Sequence, residues 1–386
     1  MKKVIIVGGG VMGSAIAYFL ARQNTQALDI CVIERDPSYA SASSALSASS
    51  IRQQFSQTLN IQMSAFGWQF LQVARQHLSV PGQTLDLQLH QSAYLYLADS
   101  QGAASLRAKH ALQTAAGAQV SLLNATQLAQ RYPWLATQDI ALGSLGLAGE
   151  GWFDGYALLM AFRAKARSLG VRYLQADVKA WAHGAGRVHG VELTDGQILP
   201  ADLFVNAAGA WSAKIGDASG LQLPVAAKRR TVFVVSSPAQ TPGCPLLIDP
   251  SGLWCRPEGQ YWLCGLPPIE DKDDLELQPD YQQWQSVWEI LAQRIPAMAA
   301  LRMQRAWAGY YEMNTLDQNG IVGLHPEWAN LWLACGFSGH GLQHAPAVGR
   351  ASAEFLTQGA FQSLDLTPLS PQRIVTRQAF LEDNVI

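Results

Sequence analysis

Charge is scarce in this sequence. Only 15% of its 386 residues are Asp, Glu, Lys or Arg, and 27 basic against 29 acidic side chains leave a net charge of −2. No general basic field recommends nucleic acid as a partner. The densest basic run, Lys228-Arg229-Arg230, reads as a solvated strand edge. Cysteine is scarce too. Five are scattered (Cys31, Cys244, Cys255, Cys264, Cys335), an odd number with no C-x-x-C. That argues against a disulfide framework or a zinc site and fits a reducing compartment. No apolar run reaches the roughly 18 residues that span a bilayer, and no signal-peptide pattern precedes the first strand. The expectation is a soluble, cytoplasmic protein. Hydrophobic residues make up 49% of the chain, enough for two apolar cores. No internal repeat or low-complexity tract is evident.

The N-terminal stretch "KKVIIVGGGVMGSAIAYFLARQ" reads as a buried strand, a glycine turn and a helix from about Val11. In the turn Gly8-x-Gly10-x-x-Gly13, Gly8 permits the tight bend. Gly10 lets backbone approach a pyrophosphate, and Gly13 lets helix and strand pack closely. Val11 and Met12 open the helix, whose free N–H groups face the phosphates. A second strand, "LDICVIE", ends in Glu34, about 20 residues beyond the turn, where a ribose-binding acid belongs. Glu34 favours a free ribose 2′-OH, hence FAD or NAD, and the pattern alone does not separate them. Arg35 follows it. Small residues and serines then fill positions 38–50. Such a segment can lie against a phosphate or flavin ring, and cofactor contacts are expected from Ser43, Ser44, Ser50 and Ile51.

The middle of the chain alternates. A strand, a helix and a short helix capped by Asn124 or Thr126 fill residues 85–149. A helix, two hairpin-like strands turning at Gly184–Gly186 and at Asp195-Gly196, and the strand "DLFVNAAGAW" follow. Residues 221–315 read as mostly antiparallel strands broken by a Trp-rich helix, and "PPIEDKDDLELQP" reads as a solvated acidic loop. Near the C-terminus a strand (Leu331–Cys335) runs through "GFSGHGLQHAP" into a helix interrupted early by Pro346. His340 and His344 are four apart, but H-E-x-x-H lacks its glutamate here, so no metal site is expected.

The glycine turn with Glu34, the small-residue loop running into "IRQQFS", and the later "NAAGAW" and "GFSGHG" resemble the D-amino-acid oxidase/sarcosine oxidase group of FAD enzymes. The resemblance spans nearly the whole chain. The C-terminal "WAGYYEMNTLDQNGIVGLHP…GFSGHGLQHAPAVGRA" is similar to a mitochondrial branch of that group that serves respiratory complex I assembly. The resemblance implies an α/β (α+β) two-domain fold. A Rossmann-like FAD-binding domain of glutathione-reductase type would take residues 1–84, 150–220 and 316–386. An antiparallel-sheet substrate domain would take 85–149 and 221–315. Backbone near Val178 would meet the adenine, Ala208 and Gly209 the nucleotide, and Gly339, His340, Gly341, Leu342 and Gln343 the flavin.

The implied activity is oxidation of the C–N bond of a secondary or N-substituted amino acid, with hydride transfer to flavin N5. Arg52 is the candidate for the substrate carboxylate, because a guanidinium fork binds it bidentately. Tyr310 and Tyr311 could wall the site, and His340 lies beside the flavin. Three departures from the group matter. "WAGYYEMN" holds no cysteine or histidine tether, so FAD is expected to be noncovalent. "QYWLCGLPP" lacks the lysine that promotes reaction with oxygen, and Gln343 stands where a second lysine helps hold the carboxylate. Ser49-Ser50 replaces a glycine pair. A dehydrogenase passing electrons to a quinone or an electron-transfer protein is therefore favoured over one using O2. The alternative is a flavin-binding assembly protein with a respiratory-complex partner, peripheral at the inner membrane.

Overall fold

The strand Lys2–Val7 is apolar on both faces, and that decides its place. Val4 and Ile6 pack on one side and Ile5 and Val7 on the other, all buried. A strand covered on both faces belongs inside a layered α/β sheet. The computed structural model, which describes residues 1–23 and 28–385, places it there. Six strands run in the order Ile321–Leu324, Leu331–Cys335, Leu203–Asn206, Lys2–Val7, Leu28–Glu34, Arg172–Gln175. All neighbours are parallel except Ile321–Leu324, which is antiparallel at the edge. The helices Val11–Gln23, Gly155–Ser168 and Gly341–Gln358 pack with the face bearing Val4 and Ile6. A three-stranded antiparallel sheet, Val178–Gly184, Arg187–Leu193 and Ile198–Pro200, covers the face bearing Ile5 and Val7. The helix Gly341–Gln358 runs unbroken through Pro346.

The second sheet has eight strands: Arg302–Asn314, Val225–Ser236, Tyr261–Gly265, Trp254–Glu258, Leu246–Ile248, Tyr94–Ala98, Leu142–Gly146, Val120–Asn124. It joins two stretches far apart in sequence. It is antiparallel throughout, apart from one parallel pairing of Leu246–Ile248 with Tyr94–Ala98. The mostly antiparallel sheet expected from the sequence is what forms, with that pair as its one parallel exception. There two antiparallel halves meet. The helix Trp284–Arg294 packs on this sheet through Val287 and Leu291. Asn124 caps the helix Ala125–Arg131 with a full capping box.

Lys228-Arg229-Arg230 is not a solvated edge. On one side it pairs with Tyr311, Tyr310 and Gly309. On the other, the acidic segment covers it. Ala227 N–H donates to Asp273 at 2.7 Å, Arg229 meets Glu276 at 3.5 Å, and Lys228 donates to the Asp271 carbonyl at 2.6 Å. The acidic loop, read as merely solvated, is thus docked, because its charges complement those of the bare strand.

Candidate functional site

A cavity of about 510 Å³ opens where the parallel strands end and the eight-stranded sheet begins. Strand ends are where such sheets bind ligands. Gly8 turns the chain at φ +96°, and a Cβ there would overlap the Ala207 carbonyl. Glu34 braces the turn: its carboxylate accepts from Gly9 N–H at 2.8 Å and Asp36 N–H at 2.9 Å. Ser44 Oγ accepts from Val11 N–H at 3.1 Å. A Cβ on Gly10 would point into open space, with only Ser44 Oγ within 4 Å. The helices Val11–Gln23 and Gly341–Gln358 both begin at the cavity, so two positive dipole ends face it.

Most of the expected residues converge on this cavity. Gly8, Gly10, Val11, Met12, Glu34, Arg35, Ser43, Ser44 and Ser50 line it from the first strands. Val178, Ala208, Gly209, Gly339, His340, Gly341, Leu342 and Gln343 line it from later ones, with Arg52, Tyr310 and Tyr311. Gly13 lies behind the wall, where a Cβ would overlap the Gly8 carbonyl oxygen. Ile51 also stays out. It is fully buried in the core, while Ser50 and Arg52 on either side face the cavity, as alternation along a strand dictates.

Arg52 is 2% exposed. Its Nη1 donates to the Gln54 carbonyl and its Nη2 to the Asn384 carbonyl, each at 2.5 Å. Nη2 also faces His340 Nε2 at 3.2 Å. The outer edge expected to grip a carboxylate bidentately is therefore tied to main-chain oxygens. Its charge, however, meets no acid: among the described residues Arg52 forms no ion pair. Burial and the Arg52 charge hold His340 well below the ordinary histidine range. A neutral His340 accepts through Nε2 and so carries its proton on Nδ1. His344, packed against Phe55 at 5.2 Å, is pushed down to about 3 for the same reasons. Gln343 Oε1 accepts from Arg52 N–H at 3.0 Å and Ser64 Oγ at 2.9 Å.

Gly339, at φ +89°, crosses Tyr311 so closely that a Cβ would sit 2.5 Å from the ring. Arg230 lies over the same ring at 5.1 Å. Tyr310 stacks edge-on against Trp211 at 5.3 Å and donates to the Leu275 carbonyl at 2.5 Å. Sequence reading missed Glu312, Arg230, Tyr94 and Trp254 on the cavity wall. Burial raises the Glu312 carboxyl to about 7, against the lowering bond from Gly336 N–H at 3.0 Å. Its place in "YYEMN", beside two expected wall residues, was the available signal. Among the described residues no cluster of His, Cys, Asp or Glu could hold a metal ion, and no helix is long and apolar enough to cross a membrane.

A glycine turn, an acid-terminated second strand and two helix starts around one cavity define a dinucleotide-binding α/β oxidoreductase. The family model of the DAO group, FAD dependent oxidoreductase, matches residues 3–355, and the chain belongs to that family. FAD is its cofactor, and the open space at Gly10 fits a pyrophosphate. FAD-dependent oxidoreductase domain-containing protein 1 of Xenopus laevis is 42% identical, over 99% of this chain and 84% of that protein. Its Bos taurus counterpart is 41% identical over 95% of this chain and 83% of that protein. Among solved structures, an L-proline dehydrogenase from P. horikoshii superposes with a TM-score of 0.84. It is 23% identical and covers 97% of this chain and 98% of its own. A glycine oxidase from Geobacillus kaustophilus gives 0.80 at 23% identity, covering 96% and 98%. These two share the fold.

Proposed function

We propose that the protein oxidises the C–N bond of a secondary or N-substituted amino acid, sarcosine- or proline-like, as a dehydrogenase more than an oxidase. Noncovalently bound FAD supplies the hydride acceptor. The observation that carries the substrate class is Arg52. Among the described residues, this buried guanidinium on the cavity wall meets neutral carbonyls, a neutral histidine and the Phe55 ring, with no ion pair, and keeps its charge for an anion. Arg52 draws the substrate carboxylate by that charge and its remaining N–H groups. Tyr94, Leu246, Trp254 and Leu266 give the cavity an apolar wall that excludes water and favours an uncharged amine. Tyr310 and Tyr311 wall the site, and His340 holds Arg52 from the flavin side.

The dehydrogenase reading draws on Gln343, whose amide oxygen is tied into the wall, and on the absence of lysine from the strand Tyr261–Gly265. Electrons then pass to a quinone, an electron-transfer protein or, more slowly, O2. Residues 1–84, 150–220 and 316–386 serve the cofactor, and 85–149 and 221–315 the substrate. The work is placed in the cytoplasm or at the inner-membrane surface.

The test is the visible spectrum of the purified protein under anaerobic conditions, with sarcosine, proline, other N-alkyl amino acids and primary amino acids added in turn. Bleaching of the flavin band by an N-alkyl amino acid or proline is expected. Slow recovery on admitting air is the dehydrogenase outcome. Bound flavin that no amino acid bleaches overturns the amine-oxidising reading in favour of an assembly protein of the respiratory chain.

A further inference from the structure

The segment Phe380–Asn384 lies against the back of the site. Phe380 N–H donates to Asp317 at 2.9 Å, and Asn319 donates to the Phe380 carbonyl at 2.9 Å. Glu382 is fully buried. Its carboxylate accepts from Ser56 N–H at 2.8 Å, Ser56 Oγ at 2.8 Å, Gln57 N–H at 3.2 Å and Asn60 Nδ2 at 2.9 Å. These donors sit at the start of the helix Thr58–Gln72, where a negative charge is favoured. Asp383 turns outward to Lys109 at 3.1 Å.

Asn384 then closes a ring with the site. Its Nδ2 donates to the Gln54 carbonyl, which also receives Arg52 Nη1, and its own carbonyl receives Arg52 Nη2, each bond at 2.5 Å. The segment carries two carboxylates within three residues, yet both are directed elsewhere. Among the described residues of this segment, what reaches Arg52 is a neutral carbonyl. A carboxylate there would neutralise the guanidinium, whereas a carbonyl orients it and leaves the charge available.

We propose that Phe380–Asn384 is a positioning element of the site: Glu382 anchors it, and Asn384 aims the Arg52 guanidinium without neutralising it. This rests on the reading of Arg52 as the carboxylate-binding residue. Asn384 and Glu382 touch no reacting atom; they act through Arg52.

The test uses the FAD-loaded protein and two probes, acetate and benzoate, whose binding is read from the shift of the flavin band. In E382Q, which loosens the anchor, and in N384A, which removes the Nδ2 bond to Gln54 that fixes the Asn384 carbonyl, probe Kd rises about tenfold while flavin content and the flavin spectrum without probe stay as in the parent. E382D keeps the charge and recovers most of the affinity. D383A, which loses only the outer pair with Lys109, binds as the parent does. R52Q separates the two ideas. If R52Q weakens the probes and both tail variants bind within about twofold of the parent, the positioning role is overturned and the Arg52 reading stands. If R52Q binds like the parent, the Arg52 reading falls and the positioning role falls with it. If E382Q does not fold, N384A decides. Loss of flavin in both tail variants makes the segment a stability element and overturns the proposal.

Discussion

Arg230 and Asp271 form a two-pronged ion pair, Nη1 to Oδ1 at 2.7 Å and Nη2 to Oδ2 at 3.1 Å, that pins the acidic segment to the sheet. Because Arg230 also lies over Tyr311, the clamp reaches the cavity wall. Asp271 is 40% exposed, so the pair adds little to global stability, about 0.5 kcal/mol or less. D271N should leave the unfolding midpoint nearly unchanged but speed proteolytic cleavage within residues 267–280. Raising the salt concentration should speed cleavage of the parent in the same way. Equal cleavage of parent and variant at low salt refutes the clamp.

Two glycines of one turn should fail differently. A Cβ on Gly10 meets only Ser44 Oγ at 3.6 Å, whereas one on Gly13 overlaps the Gly8 carbonyl. G10A should keep the stability of the flavin-free protein within about 0.5 kcal/mol and weaken FAD at least about tenfold. G13A should cost about 3 kcal/mol or more before any cofactor is added. Denaturant unfolding without FAD, followed by FAD titration, checks both.

Glu150, 1% exposed, accepts from Gln53 N–H at 2.8 Å and Tyr94 N–H at 3.1 Å, yet burial raises its carboxyl from 4.5 to about 7. The native state therefore holds this proton more tightly than the unfolded chain. Its stabilisation is complete below 4.5 and is lost as pH rises through about 7. The buried His340 and His344, with lowered values, act oppositely as pH falls below 6.5. The parent curve mixes the two effects, so the difference between parent and E150Q isolates the carboxyl. From pH 4.5 to 8 the parent should lose about 3 kcal/mol relative to E150Q, measured by urea unfolding. A flat difference would show that Glu150 titrates normally.

Ser49 sits at φ 54°, a backbone geometry that favours glycine. S49A and S49G both remove the hydroxyl, but only glycine relieves the backbone. S49G should be more stable than S49A by about 1 kcal/mol in thermal unfolding.

The turn at Gly8, the acid at Glu34 and the loop at Gly339 were legible because each is written in adjacent residues with a specific backbone demand. Arg52 was legible by position but not by bonding, since its partner Asn384 lies 332 positions away. Ile51 lies off the cavity that its neighbours line because a one-residue step along a strand reverses the face. Arg230 and the acidic segment were read as solvated because local composition looks the same whether a charged loop is free or docked. Glu312 adjoins Tyr310 and Tyr311 in one strand, so its neighbours marked it, but the pairing that sets that strand against Val225–Ser236 is not written in either strand alone.

The parallel pairing of Leu246–Ile248 with Tyr94–Ala98 orders events at the ribosome. Until Leu246–Ile248 has been synthesised, the three-stranded half ending at Tyr94–Ala98 has an unpaired edge of apolar residues. Closing so distant a contact is slow, and bare edges of this kind invite pairing with other chains. The nascent protein therefore has an interval of vulnerability in mid-translation, ended only when the second half of the sheet emerges.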